Sequence, residues 1–509
     1  MDTRAERLRK LEELKKLGIE PFAYAYDRTH TAGDIVNAYA KHEGARASVA
    51  GRIYGIRTHG KLTFIDLQDA TGKIQVYVSA DSIGDAYAWI SRLLDRGDHI
   101  GAKGKVMKTL KGEVSIAAEE LVLLSKCLYP IPSTWFGLKD VEVRYRQRYL
   151  DMVMNPDVRR IFAARTKIIQ AAREFLDKHG YVEVETPILQ PIYGGAMARP
   201  FKTHHNDLDV DMYLRIADEL YLKRLVVAGM EKVYEISKDF RNESIDTTHN
   251  PEFTMLEFYE AYVDYEYMMG FVERLFQHVA IKALGTLEFE YQGQKINLKS
   301  PWRRVTMEDA VRGAGIETFG RTLEELRALA KKHGLETDKG ATRGELIEAF
   351  FEEFVEPKIV NPTFITDYPV EVSPLAKMKR GEPGVTERFE LFITGREFAN
   401  AFSELNDPID QRSRFEQQAA MRKRGHAEAH QMDEDFIRAL ECGMPPTGGV
   451  GIGIDRLVML LTNQSSIKEV ILFPQMVPER AEKRVEEDRS FGDEVKGHVV
   501  KKVKKAGKK

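Results

Sequence analysis

Phe240-Arg241-Asn242-Glu243, then His249-Asn250-Pro251-Glu252-Phe253 and Glu257, decide the fold when taken with Gly448-Gly449-Val450-Gly451-Ile452-Gly453-Ile454-Asp455-Arg456 near the other end of the chain. Strand-type runs from Val233 to Phe240 and from Phe253 to Ala261 flank a polar stretch containing Asn242, Asp246 and Asn250. The second stretch is a run of small residues leading into Leu457-Val458-Met459-Leu460-Leu461, a pattern that lets a strand and a helix pack closely. It lacks the G-x-G-x-x-G register, and no ribose-binding acid follows at the usual interval, so a dinucleotide fingerprint is excluded. Two arginines on regular structure in separate parts of a chain suit an extended phosphate chain, because fixed guanidinium forks bind phosphate oxygens bidentately.

These two stretches resemble motifs 2 and 3 of the class II aminoacyl-tRNA synthetases. The resemblance implies that the strands around the polar stretch form an antiparallel hairpin and that a carboxylate is activated with ATP. Carried onto this sequence, it implies that Arg241 contacts the substrate carboxylate and the α-phosphate, where charge builds during attack on phosphorus. Phe253 would stack on adenine, Glu243 and His249 would hold the base and the phosphate tail with Asn250 beside them, and Arg456 would reach adenine and the γ-phosphate. Taken singly, Phe253 has a plainer role in a core, His249 in a loop and Arg241 in a surface ion pair; their ordered combination favours the site. Thr248 stands where relatives commonly carry a basic residue, and Ser244 where they carry glycine.

Outward from this centre, Asn155-Pro156 opens a helix, with Asn155 expected as the cap and Pro156 at the first helical position. Val158, Ile161, Phe162, Ile168, Ile169, Phe175 and Leu176 form its apolar stripe, and Gly180 ends it. Tyr181 to Pro187 then alternates as a strand. This unit resembles motif 1, which implies a homodimer through Val158 to Pro187. Before it, five β-type runs (Ser48 to Ile56, Leu62 to Leu67, Lys73 to Val78, His99 to Met107 and Glu113 to Leu124) suit a small barrel, and the OB-fold is the common five-strand barrel that binds single-stranded nucleic acid. The fold class expected is multidomain: an all-β OB-fold barrel and an α+β class II catalytic domain with a mainly antiparallel sheet flanked by helices. The divisions expected are a helical extension at 1–45, the barrel at 46–128, a proline- and aromatic-rich linker at 129–150, the catalytic domain at 151–480 with an insertion of charged helices at about 265–365, and a basic tail at 481–509.

The chain has 509 residues, 43% apolar and 30% charged, which is too long for one core and too apolar for disorder. Its net charge of -3 leaves any nucleic-acid binding to local basic surface. Arg4, Arg7, Arg9, Lys10, Lys15 and Lys16 decorate a helical segment with Leu8, Leu11, Leu14 and Leu17, while the lysine-rich end from Lys496 to Lys509 reads as a solvated tail. No apolar run approaches the ~20 residues of a membrane span. The charged start is unlike a secretion signal, and Cys127 and Cys442 make neither a disulfide framework nor a metal spacing. A cytoplasmic protein with no membrane and no DNA partner is expected.

Pyrophosphate leaves poorly unless its charge is neutralised, so Mg²⁺ is implied. Glu390 and Glu397, on alternating strand segments, are the candidates for holding it; a plainer reading is a pair of solvent-facing acids on a sheet edge. The chemistry of selection follows from further stretches. Gly194-Gly195-Ala196, Glu219-Leu220-Tyr221-Leu222-Lys223-Arg224, Pro369 to Leu375 and Asn400 to Asp407 resemble the bacterial-type lysyl branch of class II, which implies L-lysine, ATP and tRNA(Lys) as partners. A pocket for lysine must pair a buried ammonium with a carboxylate. Glu404 can supply it, with Tyr259 as a hydroxyl acceptor; Glu219 and the carbonyl of Gly195 would bind the α-ammonium, with Arg241 left for the carboxylate and Asn400 and Glu257 completing the lining. Glu219 also reads as the acid that opens a helix. On the barrel, Arg57, Phe64 and Gln75 fall where the family reads the anticodon, with Phe64 either a stacking platform or a core residue. Competing readings are the aspartate or asparagine branch, which would need a cation where Glu404 stands, and a non-catalytic RNA-binding scaffold, which retained Arg241, Arg456, Glu390 and Glu397 oppose.

Overall fold

The computed structural model describes residues 3–131, 138–318, 320–338, 340–423 and 431–478, in two compact units, Met1–Lys139 and Asp140–Lys509. Pro132, Trp135 and Phe136 of the expected linker and the lysine-rich end lie outside the described residues.

In the first unit, strands β1 (Arg46–His59), β2 (Leu62–Gln68), β3 (Lys73–Ser79), β4 (His99–Lys108) and β5 (Val114–Ser125) close into a barrel in the order β1-β2-β3-β5-β4. Alternation decides what fills it: along β2, Thr63, Ile65 and Leu67 are buried while Phe64, Asp66 and Gln68 are not. Phe64 is therefore an outward residue and not core. The β2–β3 turn is held by Asp69, whose Oδ1 accepts from the N–H groups of Thr71 at 2.8 Å and Gly72 at 3.1 Å. The N-terminal helix Arg4–Lys16 is capped by Thr3 and buries Leu11 and Leu14. Arg7 is not the surface cation its sequence suggested: it is fully buried and donates to the carbonyls of Cys127 at 2.9 Å and Arg96 at 3.0 Å.

The second unit is built on an eight-stranded sheet. Its strands are β6 (Val182–Glu183), β10 (Lys232–Phe240), β11 (Glu252–Ala261), β14 (Arg303–Thr306), β15 (Thr363–Thr366), β16 (Arg388–Ile393), β17 (Arg396–Ser403) and β18 (Thr447–Gly453), ordered β14-β15-β16-β17-β18-β11-β10-β6. Only the two end pairs, β14 with β15 and β10 with β6, run parallel. Small sheets of β7 (Leu189–Gln190), β8 (Lys202–His205) and β9 (Val210–Leu214), and of β12 (Glu288–Tyr291) and β13 (Gln294–Asn297), stand beside it.

One face of the large sheet is apolar and packed. Leu256 and Phe258 of β11, Val450 and Ile452 of β18, and Ala399 and Ala401 of β17 share a core with helices Pro156–Lys178, Tyr265–Leu284 and Ile454–Leu461. Three expectations change here. Asn155 makes no side-chain cap; its Nδ2 donates to Asp151 Oδ1 at 2.7 Å, and Pro156 alone opens the helix. The strand expected from Tyr181 to Pro187 is reduced to the two residues of β6, because Pro187 and the bond from the Thr186 N–H to Glu235 Oε2 at 3.0 Å turn the chain away. The stretch 265–365 is not all an insertion: the helix Tyr265–Leu284 belongs to the central core and β14 and β15 to the sheet, while Met307, Leu326, Leu346 and Phe350 form a separate core.

Candidate active site

The other face of the sheet is the floor of a cavity of ≈ 470 Å³. Register places its residues. Glu390, Asn400, Gly451 and Glu257 lie in one row across β16, β17, β18 and β11, and Arg388, Phe402, Gly449 and Tyr259 in the next. The period of two that sends Leu256 and Phe258 into the core sends Phe253, Met255, Glu257 and Tyr259 to the cavity. The three alternate glycines of β18 leave the space above the floor; a Cβ on Gly449 would overlap the Tyr259 ring at 2.4 Å.

At one end, Arg241 leaves β10 with its guanidinium 5.0 Å from the Phe253 ring centre, in cation–π range, and Nε donating to the Ile216 carbonyl at 3.3 Å. Glu243 and His249 line the same end, and His249 Nδ1 lies 2.8 Å from Asp246 Oδ2. Asn250 is mainly a bracket: Nδ2 donates to the Glu252 carbonyl at 2.5 Å and Oδ1 accepts from the Gln475 N–H at 3.0 Å. Arg456, from the helix after β18, donates to the carbonyl of Glu397 at 2.7 Å and to its carboxylate at 3.0 Å.

Glu390 and Glu397 face this end from β16 and β17, so they are cavity residues and not edge acids. Glu390 accepts from the Tyr368 hydroxyl at 2.8 Å and pairs with Arg388 at 2.5 Å; burial pushes its carboxyl up, with Glu397 adding to the push. Glu348, Glu352 and Glu356 line an adjoining cavity with them. Burial, then Glu352, Glu390 and Glu397, push Glu356 up to about 7, and burial carries Glu348 to about 7 despite Arg388. A donor set of crowded carboxylates whose charges oppose one another fits a hard divalent cation. Sequence reasoning missed the acids of the helix Arg343–Phe354 and its end, although Glu348, Glu352 and Glu356 recur at four-residue spacing.

The other end is closed. Glu404 follows β17 and is buried, and a Cβ on Gly449 would meet both its carboxylate and the Tyr259 ring. Glu219 opens the helix Glu219–Val227 and also lines the cavity. Gly195 faces it with φ +91°; a Cβ there would stand 3.1 Å from the Cβ of Glu219. Asn400 Oδ1 accepts from Arg388 Nε at 3.1 Å. Glu257 accepts from the Tyr259 hydroxyl at 3.2 Å, which commits its proton and leaves the tyrosine oxygen able to accept. Beneath them lies a cluster the sequence did not disclose: Asp218, Asp239 and Glu257 hold carboxylate oxygens within 4.8 Å of one another, with Arg215 3.0 Å from Asp218, 2.7 Å from Glu235 and 3.4 Å from Asp239. Burial, then Asp218 and Asp239, hold Glu257 well above the usual carboxylate range.

On the barrel, Arg57, Phe64 and Gln75 share an outer face. Arg57 pairs across to Phe64 and forks onto Asp66 with both bonds at 2.9 Å, Phe64 meets Tyr77 edge-on at 5.5 Å, and Gln75 accepts from Ser115 at 3.0 Å.

Comparison with known proteins agrees with this geometry. Residues 140–477 match the family described as tRNA synthetases class II (D, K and N), and residues 47–124 match the OB-fold nucleic acid binding domain. The lysine–tRNA ligase of Carboxydothermus hydrogenoformans is 56% identical over 93% of this chain and 97% of its own length. That of Moorella thermoacetica is 54% identical over 94% and 98%, and that of Bacillus subtilis 53% over 92% and 95%. The chain belongs to the class II tRNA synthetases, in their lysine–tRNA ligase family.

Proposed function

We infer that the chain couples ATP cleavage to the activation of L-lysine and then transfers the lysyl group to the 3′ end of tRNA(Lys). The observation that carries this is the polarity of one cavity: Arg241 and Arg456 with acids toward one end, and the buried Glu404 and Tyr259 toward the other. A side-chain ammonium at Glu404 and Tyr259 would put the α-ammonium between Glu219 and the Gly195 carbonyl, and the carboxylate toward Arg241. Glu257 and Asn400 complete the polar wall. Phe253 offers its ring to adenine opposite Arg456, and Glu243 and His249 flank the nucleotide.

The lysine carboxylate attacks the α-phosphorus, giving lysyl-adenylate and pyrophosphate. No side chain need take a proton in this step; Arg241 and Arg456 stabilise the developing charge, and the cavity walls hold the reacting atoms in line. Glu390 and Glu397 would hold Mg²⁺, which neutralises the leaving pyrophosphate when bound. The outer barrel face with Phe64, Arg57 and Gln75 suits unpaired anticodon bases. A homodimer is proposed through β6 and the helix before it, since β6 ends the sheet and Val182, Ile188 and Leu189 are about half exposed. Among the described residues no helix is long and apolar enough to cross a membrane; we place the reaction in the cytoplasm, with tRNA as the nucleic acid and not DNA.

Pyrophosphate exchange with each amino acid in turn, followed by charging of purified tRNA(Lys), tests this reading. Lysine alone is expected to support both. Exchange driven by aspartate or asparagine would move the chain to a sister branch, and none with any amino acid would favour a non-catalytic scaffold.

A further inference from the structure

Glu219 and Glu404, assigned above to the two ammonium groups of the substrate, are not independent. One buried cation joins them. Lys223 lies one helical turn after Glu219, and its Nζ pairs with Glu219 Oε1 and with Glu404 Oε2. The lysine side chain is fully buried, and the two acids are nearly so. Both acids line the cavity and Lys223 does not, so its ammonium lies behind them. The Phe402 ring, which also lines the cavity, has its centre 5.3 Å from Nζ.

This placement separates two roles. A lysine protruding into the cavity would compete with the substrate, whereas one behind the acids fixes where they stand. We propose that Lys223 is a positioning residue for amino-acid selection: held behind Glu219 and Glu404, it spaces the two carboxylates and supplies the counter-charge that lets both act as anions toward the substrate. This rests on the lysine reading of the cavity and deepens it.

The electrostatic surroundings leave the task to Lys223. Facing Glu404 and Glu219 are Glu257 and Tyr259 from β11, Arg388 from β16 and Lys223 itself. Burial pushes Glu404 well above the ordinary carboxylate range and Lys223 pulls it back, with Glu219 adding to the push. For Glu219, burial again acts first, opposed by Lys223 and then Arg388. Without Lys223 the uncompensated acids take up protons more readily, and a neutral carboxyl offers an ammonium no charge. A purely structural clamp between helix and strand would carry no such dependence on pH.

The test is Lys223→Met in the full-length enzyme, with the KM for lysine and for ATP measured by pyrophosphate exchange from about pH 6.5 to about pH 9, below the ordinary side-chain lysine pKa. The lysine KM is expected to rise by about tenfold or more near pH 7, as when a buried charge loses its partner. It should recover toward the wild-type curve as pH rises, with the KM for ATP held within about twofold. A lysine KM that is unchanged, or that rises equally at every pH or together with that of ATP, would overturn the proposal. If Lys223→Met does not fold, the pair Glu219→Gln and Glu219→Gln/Lys223→Met carries the same readout. A pH-dependent ratio of their lysine KM values supports the role, and a flat ratio refutes it. Failure of wild-type enzyme to use lysine would sink the functional reading instead, so the two failures are distinguishable.

Discussion

A methyl group on Gly449 would stand 2.0 Å from Oε1 of Glu404. The closed end of the cavity therefore exists because β18 presents no side chain at the position paired with Tyr259 on β11 and Phe402 on β17. Overpacking a filled site costs about 1–3 kcal/mol, and here the cost falls where the ammonium is proposed to sit. Gly449→Ala is expected to raise the lysine KM by about tenfold, with the ATP KM changed by less than about twofold. Exchange kinetics measure both, and an unchanged lysine KM would place the ammonium elsewhere.

Glu404→Gln keeps the shape and removes the charge. On the proposed assignment the substrate ammonium loses its partner, and of its two acids Lys223 keeps Glu219. Lysine affinity should fall by about 2–5 kcal/mol, the range for truncating one side of a buried charge pair. ATP affinity should hold, because Arg241, Phe253 and Arg456 lie at the other end. Calorimetric titration of each ligand decides, and equal losses for both would refute a specificity role.

With the α-ammonium seated as proposed, the neighbouring acids are expected to make lysine affinity depend on pH. Burial, against the pull of Arg241 and Arg215, carries Asp239 up to about 6. Glu257 and Asp218 are also held well above the ordinary carboxylate range, in each case chiefly by burial. Raised carboxyl groups favour the folded state at low pH, and that advantage is lost as pH rises through their folded values. An arriving ammonium favours their charged forms, so binding releases protons and lysine binds more tightly as pH rises from about 5 to about 7.5. The increase in melting temperature produced by lysine should grow over the same range. Titrations in buffers of different ionisation enthalpy should report proton release; uptake, or a lysine affinity flat with pH, would remove the cluster from the site.

Much of this was legible in the chain because the period of strands is two. Phe253, Glu257 and Tyr259 fall on one face of β11 by counting, and Asn400 aligns with Glu390 and Gly451 once the strands pair. What stayed hidden depends on packing at a distance. Arg7 carries the same charge as its exposed neighbours, and the carbonyls that receive it in the interior, those of Arg96, Cys127 and Tyr129, lie far along the chain. Lys223 shows a pairing with Glu219 at helical spacing, but its second partner is 181 residues away in sequence. The Asp218, Asp239 and Glu257 cluster draws on three separate elements, so no local pattern reveals it. Glu348 and Glu356 sit on charged helices that read as a solvated surface until their acidic face is seen against Glu390.

The edge at β6 gives a prediction about assembly. Val182 and Glu183 pair with β10 on one side only, and Val182 is 50% exposed. Lysines on an edge strand oppose strand pairing by another chain. Val182→Lys with Leu189→Lys is expected to shift sedimentation from dimer to monomer at micromolar concentration, and to leave the fold intact by circular dichroism. A wild-type protein that sediments as a monomer, or a variant that stays dimeric, would put the contact elsewhere or remove it.

The barrel allows the two halves of the reaction to be separated. Phe64 lies on the outer face with Arg57, Asp66, Gln75 and Tyr77, while Ile65 and Leu67 fill the interior, so replacing Phe64 removes a ring from the surface and not from the core. Gln75 loses only its bond from Ser115. Phe64→Ala with Gln75→Ala should therefore leave the barrel folded and lysine-dependent pyrophosphate exchange at its wild-type rate. The KM for tRNA in charging should rise, since a base–aromatic stack is worth about 1–3 kcal/mol. Arg57 remains tied to Asp66 by two bonds at 2.9 Å, so its charge is kept and the loss reports on Phe64 and Gln75. Collapse of both activities together would mean that the barrel had unfolded, which a melting curve reveals, whereas charging unchanged in a folded variant would withdraw this face from tRNA recognition.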